Sequence, residues 1–536
     1  MTEAPAGGLV PRSRRVMNLA HFLTETAARV PGRPAIVWAT QSWTWAGFET
    51  RSAALAAGLA GLGVAKGDRV LVHSKNGNEI VEAMFACFRL GAVFVPTNFR
   101  LLPAEVVELA KTAKAKLFLC HGQFPDHAAA IAAAGVVERV VRIGAGTLGE
   151  ACVATLIEAN LKSPAPTAAV DYDDPCWFFF TSGTTGRSKA AVLTHGQMAF
   201  VITNHLCDLM PGTTEEDASL VVAPLSHGAG IHFLTQVARG AASVLLPGEK
   251  FDVNEAWRLV AKHRVTNMFT VPTILKMLAE DASVDAHDHS SLRYVIYAGA
   301  PMYRADQQLI LKKLGPVIVQ YFGLGEVTGN ISVLPARLHD EAEGWPLEGS
   351  CGFARTGMQI SIQDEAGREL APGETGEICV IGPAVFAGYY DNEAANAASF
   401  RAGWFRTGDL GHMDAQGFVY ITGRASDMYI SGGSNIYPRE VEEKILPHPD
   451  ITEVAVLGVP DPKWGEVGIA VCVPRAGAAL TEATLLAWLE PKVARYKLPR
   501  RVLFWDALPK SGYGKVPKRM VRDALEARGE LSKPAA

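Results

Sequence analysis

Apolar positions recur at helical spacing over Leu19–Val30 and Phe48–Leu62, then tighten into short unbroken runs. Arg69–His73, Ala92–Pro96 and Ala115–Cys120 read as buried strands, and Ile80–Leu90 and Pro103–Thr112 between them read as helices. The rhythm repeats through Ser219–Ala223, Ala242–Leu246, Ala256–His263, Asn267–Val271 and Tyr294–Tyr297. Strands alternating with helices at this spacing predict βα units around mostly parallel sheets.

After about residue 345 the texture changes. Helical spacing thins, and Gly and Pro separate short alternating runs at Met358–Gln363, Gly376–Ile381 and Phe418–Thr422. These predict antiparallel strands in a distorted, barrel-like segment. Mixed α/β texture resumes from about Met428, through Arg439–Leu446, Val454–Gly458, Ile469–Val473 and Leu485–Leu489. The fold class expected is therefore α/β, with a large N-terminal domain over 1–423 and a small α+β C-terminal domain over 428–536. Residues 424–427 join them. The chain contains no internal repeat and no low-complexity tract.

The 536 residues balance 51 Lys+Arg against 55 Asp+Glu, a formal charge of −4. With 49% apolar and 20% charged residues, the chain has the make-up of a globular protein with a sizeable core. The near-neutral balance predicts no nucleic-acid partner, since such partners leave a basic excess. Eight cysteines (87, 120, 152, 176, 207, 351, 379 and 472) are scattered, with no CxxC pair and no dense disulfide pattern. They fit a reducing, cytoplasmic location. The longest internal stretch free of Asp, Glu, Lys and Arg, Ala218–Ala238, carries Pro224, Ser226, His227, His232 and Gln236. It reads as buried strand, loop and helix, so no membrane anchor is expected.

The candidate chemistry centres on Phe178–Lys189. An apolar strand runs into Thr181-Ser182-Gly183-Thr184-Thr185-Gly186 and reaches Lys189. Glycines admit a phosphate close to the backbone, and hydroxyls and N–H groups donate to its oxygens. The spacing is not that of a Walker loop, and Ala190–Leu193 after it reads as a strand, not a helix. This predicts a phosphate-binding loop of another kind.

The string resembles the signature of the adenylate-forming superfamily, which includes acyl-CoA synthetases, luciferases and peptide-synthetase adenylation domains. Further landmarks follow in that family's order. They are Gly299-Ala300-Pro301, Gln320-Tyr321-Phe322-Gly323-Leu324-Gly325-Glu326, Phe405-Arg406-Thr407-Gly408-Asp409, Gly423-Arg424, Gly432-Gly433 with Asn435-Ile436-Tyr437-Pro438, and Pro509–Lys515. Together they span about residues 19–525.

The resemblance implies roles. Thr181–Gly186 and Lys189 would hold ATP phosphates, with Thr184 and Glu326 serving the chemistry and Glu326 binding Mg²⁺, a hard ion that prefers oxygen ligands. Gly299, Ala300, Pro301, Gln320, Phe322 and Gly323 would surround the nucleotide. Tyr321 would stack near adenine or simply pack in the core. Asp409 would accept both ribose hydroxyls, and Arg424 would contact ribose or phosphate, or form a plain salt bridge. Lys515 would bridge the substrate carboxylate and the α-phosphate, offsetting their repulsion. Ser431, Gly432 and Gly433 would line a coenzyme A tunnel, and Ser426 would be the hinge of a mobile small domain.

Two positions depart from the family pattern. Gly325 stands where Thr is usual, and Ser426 where Asp or Lys is common.

Val221–Gly230 occupies the place of the acyl pocket and offers no carboxylate for a substrate ammonium group. A simple carboxylic acid, medium-chain or aryl, is therefore expected over an amino acid. His205, His227, Tyr297 and Gly299 are the expected acyl-side residues. His227 would either contact the carboxylate or satisfy hydrogen bonds in the core. The short stretch after Lys515 argues against a fused carrier domain, which makes free coenzyme A the expected acceptor. The activity implied is an ATP-dependent acyl-CoA synthetase working through acyl-AMP. Two other readings stay open, a ligase that loads a stand-alone carrier protein and a nucleotide-binding regulatory protein without catalysis. The sequence leaves a homodimer open.

Overall fold

The computed structural model describes residues 15–146, 151–182, 188–248, 250–300, 302–340, 342, 344–424, 426–431, 434–511 and 516–531. Among these, three sheets organise the chain.

The first is seven-stranded. From one edge its strands are Ala151–Cys152, Arg139–Ile143, Leu117–His121, Arg69–His73, Val93–Pro96, Pro175–Ser182 and Ser188–Thr194. Every pairing is parallel except the last, an antiparallel hairpin in which Thr181 faces Lys189 and Ser182 faces Ser188. The apolar runs at 69–73, 92–96 and 115–120 thus form strands buried on both faces, as parallel sheets require. The helix His195–Asp208 follows the hairpin at once. Thr194 Oγ1 accepts from Gln197 N at 3.2 Å and Gln197 Oε1 accepts from Thr194 N at 3.3 Å, a reciprocal cap on its first turn.

The second sheet has fourteen strands. Its parallel core runs Ile318–Phe322, Tyr294–Tyr297, Asn267–Thr270, Ala218–Val221, Ala242–Leu245 and Pro34–Trp38. The helices Val253–His263, Pro272–Glu280 and Arg304–Leu314 pack on one face, and His195–Asp208 and Gly228–Arg239 lie on the other. The charge-free stretch 218–238 is a core strand and a core helix. No helix among the described residues is long and apolar enough to cross a membrane.

The strands expected as a barrel are antiparallel, but they do not close on themselves. Ser332–Leu334, Ser350–Ala354, Phe418–Arg424, Trp404–Met413, Gly376–Ile381 and Gln359–Gln363 extend the same large sheet in one open path. The reason is at Tyr321 and Phe322, which pair with Val333 and Ser332 and splice the antiparallel strands onto the parallel core. Short-range alternation carries no information about that splice.

The last strand of the large sheet ends at Arg424, and the first strand of the third sheet begins at Tyr429. This five-stranded sheet is built on Ile451–Asp461 and Gly465–Pro474, with the hairpin Tyr429–Ser431/Ser434–Ile436 on one side and Arg501–Phe504 in parallel. The helices Pro438–Ile445 and Glu482–Leu489 cover one face and Lys518–Ala527 the other.

Candidate active site

The hairpin 175–194 brings Thr181, near the end of its first strand, against Glu326. Thr181 Oγ1 donates to Glu326 Oε1 at 2.9 Å, and Tyr389 OH donates to the same oxygen at 2.8 Å. Glu326 lies in a single 3₁₀ turn, Gly325–Val327, and is 5% exposed. Its main-chain carbonyl accepts from Phe386 N at 2.8 Å. The segment after Ile381 docks on the hairpin through an Ala191–Tyr389 bridge and a Val192 N to Gly388 O bond of 2.9 Å. Lys189 Nζ then lies 4.9 Å from the centre of the Tyr389 ring. A carboxylate, a hydroxyl and a cation are thus gathered at the mouth of the glycine-hydroxyl loop. Gly183, Thr184, Thr185 and Gly186, the side chain of Ser182, and the expected catalytic Lys515 lie outside the described residues.

Tyr389 is the residue that sequence reading missed. Its only local signal is an aromatic pair after Gly388, and its importance comes from a contact 63 residues away.

Gly325 is explained by its neighbour. A Cβ there would stand 2.5 Å from the Phe179 ring and 3.0 Å from Thr181 Cγ2. Phe179 occupies the space a threonine would need. Likewise a Cβ on Gly323 would meet the Gly329 backbone at 2.5 Å.

Asp409 and Arg424 face one another across adjacent strands, with Arg424 Nε 3.1 Å from Asp409 Oδ1. Asp409 is buried at the end of its turn, and Arg424 is half exposed. Thr407 sets this turn, donating Oγ1 to Ile378 O at 2.7 Å and accepting from Asp409 N at 3.1 Å. Beyond Arg424, Asp427 N returns to Arg424 O at 3.0 Å, closing a tight turn around Ser426, which is exposed and donates to Asp427 Oδ1 at 3.3 Å. Ser431 sits opposite Ser434 in the hairpin, while Gly432 and Gly433 lie outside the described residues.

The strand Ile318–Phe322 sorts its residues by parity. Gln320 and Phe322 share one face and are half buried, and Tyr321 points to the other. Tyr321 packs in the core with Phe269, His205 and Val333. Of its two expected positions, core packing is the one the structure shows, and Phe322 presents a ring on the face of Gln320. Tyr297 is fully buried among the helices of the opposite face, where its hydroxyl donates to Gln320 Oε1 at 3.0 Å and meets His339 Nε2 at 3.2 Å. It therefore does not join His205 and Tyr321, because its strand position sends it to the other side of the sheet. Gly299, at φ +85°, and Ala300 follow it in a partly open loop, and Pro301 lies outside the described residues.

His227 stands at the start of the helix Gly228–Arg239, its ring 4.4 Å from that of Phe179. His205 is buried, with Nδ1 3.0 Å from Val201 O. Burial and the nearby Arg355 guanidinium hold its pKa well below the usual histidine value, so it is neutral.

The residues at the loop mouth suit a magnesium ion held partly by phosphates. Mg²⁺ usually takes one or two protein oxygens plus substrate phosphates and water, and Glu326 with the Thr181 hydroxyl supplies such a set. No cluster of three His, Cys, Asp or Glu side chains competes for a metal among the described residues.

Known protein families match the chain along most of its length. Residues 23–390 match the model of the AMP-binding enzyme family, and residues 440–515 match the AMP-binding enzyme C-terminal domain. The chain belongs to the AMP-binding enzyme family. It is 36% identical over 510 residues to a feruloyl-CoA synthase of an Amycolatopsis species, covering 95% of this chain and 99% of that enzyme. To the indoleacetate–CoA ligase of Aromatoleum aromaticum it is 34% identical, covering 95% and 98%. Among solved structures, o-succinylbenzoate CoA synthetase from Bacillus subtilis with its acyl-adenylate intermediate superposes with a TM-score of 0.81 at 30% identity, over 94% of this chain and 98% of that one. ATP-bound MatB from Rhodopseudomonas palustris gives 0.85 at 30% identity, over 95% and 99%.

Proposed function

We propose that this AMP-binding enzyme joins an aryl or medium-chain carboxylic acid to coenzyme A through an acyl-adenylate. Its class is acid–thiol ligase, AMP-forming. The single observation that carries the reading is the Thr181–Glu326–Tyr389 contact at the mouth of the 181–189 loop. This oxygen donor set supports binding of Mg²⁺–ATP at the loop, the role that the resemblance of the 181–189 string implies. When bound, Mg²⁺ supplies charge neutralisation on the phosphates. Asp409, oriented by Thr407 and Arg424, offers its carboxylate to the ribose hydroxyls. The acid enters beside His227 and its carboxylate oxygen attacks the α-phosphate, forming a mixed anhydride and releasing pyrophosphate.

Lys515 is the cation we assign to that step, with Thr184 donating to phosphate. The thiol of coenzyme A then attacks the acyl carbon and AMP leaves. We place a mobile small domain over residues 428–536, turning about Ser426 and carrying Lys515 out while Ser431, Gly432 and Gly433 meet coenzyme A. Such alternation lets one cleft run two chemistries in turn. The similarity to feruloyl-CoA and indoleacetate–CoA ligases supports an aryl acid. A second acceptor, a carrier protein, is supported by 32% identity to a fatty acid–[acyl-carrier-protein] ligase of Streptomyces coeruleorubidus.

The test is pyrophosphate release across short, medium, long and aryl acids, with and without coenzyme A. Multiple turnovers that require coenzyme A support the reading. Release that stops at one equivalent in its presence favours the carrier-protein acceptor, and silence with every acid rejects the ligase.

A further inference from the structure

The turn that carries Asp409 departs from the sheet around it. Gly376–Ile381 and Trp404–Met413 run antiparallel, with Glu377 opposite Leu410 and Cys379 opposite Arg406. Two steps on the first strand thus face four on the second, which bulges through Thr407, Gly408 and Asp409. Gly408 takes φ +74°, in the left-handed region. Toward the other neighbouring strand the register slips as well, since Leu410 faces Gly423 while Gly411 faces Ile421. Asp409 sits between these two irregularities and is buried.

A bulge takes main-chain N–H groups out of the ladder, and they need other acceptors. Thr407 Oγ1 accepts from Asp409 N at 3.1 Å. Glu377 serves Gly408, whose N–H donates to Oε1 at 3.2 Å. Its second oxygen, Oε2, accepts from Arg406 Nε at 2.8 Å. One carboxylate therefore holds both the residue that enters the bulge and the glycine at its crest. Arg406 balances its charge, as Arg424 balances that of Asp409. The Glu377 side chain is 14% exposed, and its bonds go to the chain beside Asp409, two residues or fewer from it in either case for Gly408 and three for Arg406.

We propose that Glu377 is a positioning residue for ribose recognition: by clamping Arg406 and Gly408 it fixes the bulge that aims the Asp409 carboxylate at the ribose hydroxyls. The assignment rests on the ATP-binding part of the reading above and gives Glu377 no contact with the nucleotide. Alanine at 377 would leave both donors without this acceptor. The glycine at the crest, the residue type with the widest backbone freedom, would then be held by less.

The experiment uses the full-length enzyme with Mg²⁺ and compares the Kd of ATP with that of 2′-deoxy-ATP by calorimetry. Wild type is expected to favour ATP. In Glu377→Ala the Kd for ATP should rise about tenfold while that for 2′-deoxy-ATP changes far less, so the gap narrows. Glu377→Gln keeps one oxygen for Gly408 N and should retain part of the gap. On an Asp409→Asn background Glu377→Ala should add no more than about twofold, because residues acting through one contact are non-additive. A role in structure alone would weaken both nucleotides equally and would add its full cost to that of Asp409→Asn. An unchanged gap in Glu377→Ala, an additive double variant, or a wild type without the gap overturns the proposal. Should Glu377→Ala not fold, a gap of wild-type size in Glu377→Gln overturns it. Pyrophosphate release by wild type judges the ligase reading separately, so an active enzyme with an unchanged gap fails this proposal alone. No ATP binding by wild type rejects both.

Discussion

Tyr389 and Glu326 are joined by a 2.8 Å hydrogen bond across 63 residues of chain. The contact holds the Glu326 carboxylate at the loop mouth while Thr181 grips the same oxygen from the opposite strand. Tyr389→Phe removes one of the two donors without changing the ring. It should weaken adenylation by about tenfold, the scale of one hydrogen bond to a charged group, and raise the Mg²⁺ concentration for half-maximal rate. Pyrophosphate release titrated with Mg²⁺ reads both. An unchanged Mg²⁺ dependence would remove Tyr389 from the site.

Asp409 and Arg424 form a 3.1 Å pair at the junction between the large and small sheets. If Asp409 takes the ribose hydroxyls, Asp409→Asn should cost roughly one to two orders of magnitude in kcat/KM for ATP. The same variant should narrow the gap between ATP and 2′-deoxy-ATP. A wild-type-sized gap in the variant would assign Asp409 to structure alone.

Gly325→Thr, which restores the family's usual residue, is expected to harm this chain. The new Cβ would stand 2.5 Å from the Phe179 ring, a backbone-fixed clash with a buried side chain. Overpacking of this kind costs about 1–3 kcal/mol. A lowered melting temperature is the expected outcome, recovered in the double variant with Phe179→Leu. A Gly325→Thr enzyme as stable as wild type would show that Phe179 yields freely.

Lys515→Ala tests the assigned roles directly. Acyl-AMP formation should fall by several orders of magnitude, while thioesterification of supplied acyl-AMP stays within about tenfold of wild type. Equal loss of both half-reactions would sink domain alternation.

Stability should fall steeply in mild acid. Burial lowers His195, His232 and His339 from 6.5 to about 4, and His195 Nδ1 accepts from Leu19 N at 3.2 Å, which requires a neutral ring. Between pH 6.5 and 4 the unfolded chain takes up protons that the folded chain refuses, so unfolding free energy decreases as pH falls. Each site contributes on the order of 2–3 kcal/mol across that window. Urea unfolding at pH 7 and pH 4.5 measures the sum, and a midpoint that does not move would contradict the buried-histidine account.

Much of this enzyme was legible in one dimension. Period-2 and period-3.6 apolar patterns located the βα units, because burial on a strand or helix face must repeat with the local geometry. The glycines and hydroxyls of 181–189 predict a phosphate site, because that chemistry is local to the backbone. The order of the motifs carried the family. What the tertiary structure decided was every relation between distant segments. Strand parity turned Tyr321 into the core and left Phe322 on the face of Gln320. Its position on the same sheet sent Tyr297 away from His205. The splice at Tyr321–Val333 opened the expected barrel into a continuous sheet. Tyr389 reached Glu326 because packing brought together residues that no spacing relates. Local patterns record which face of an element is buried, and only packing determines what lies against it.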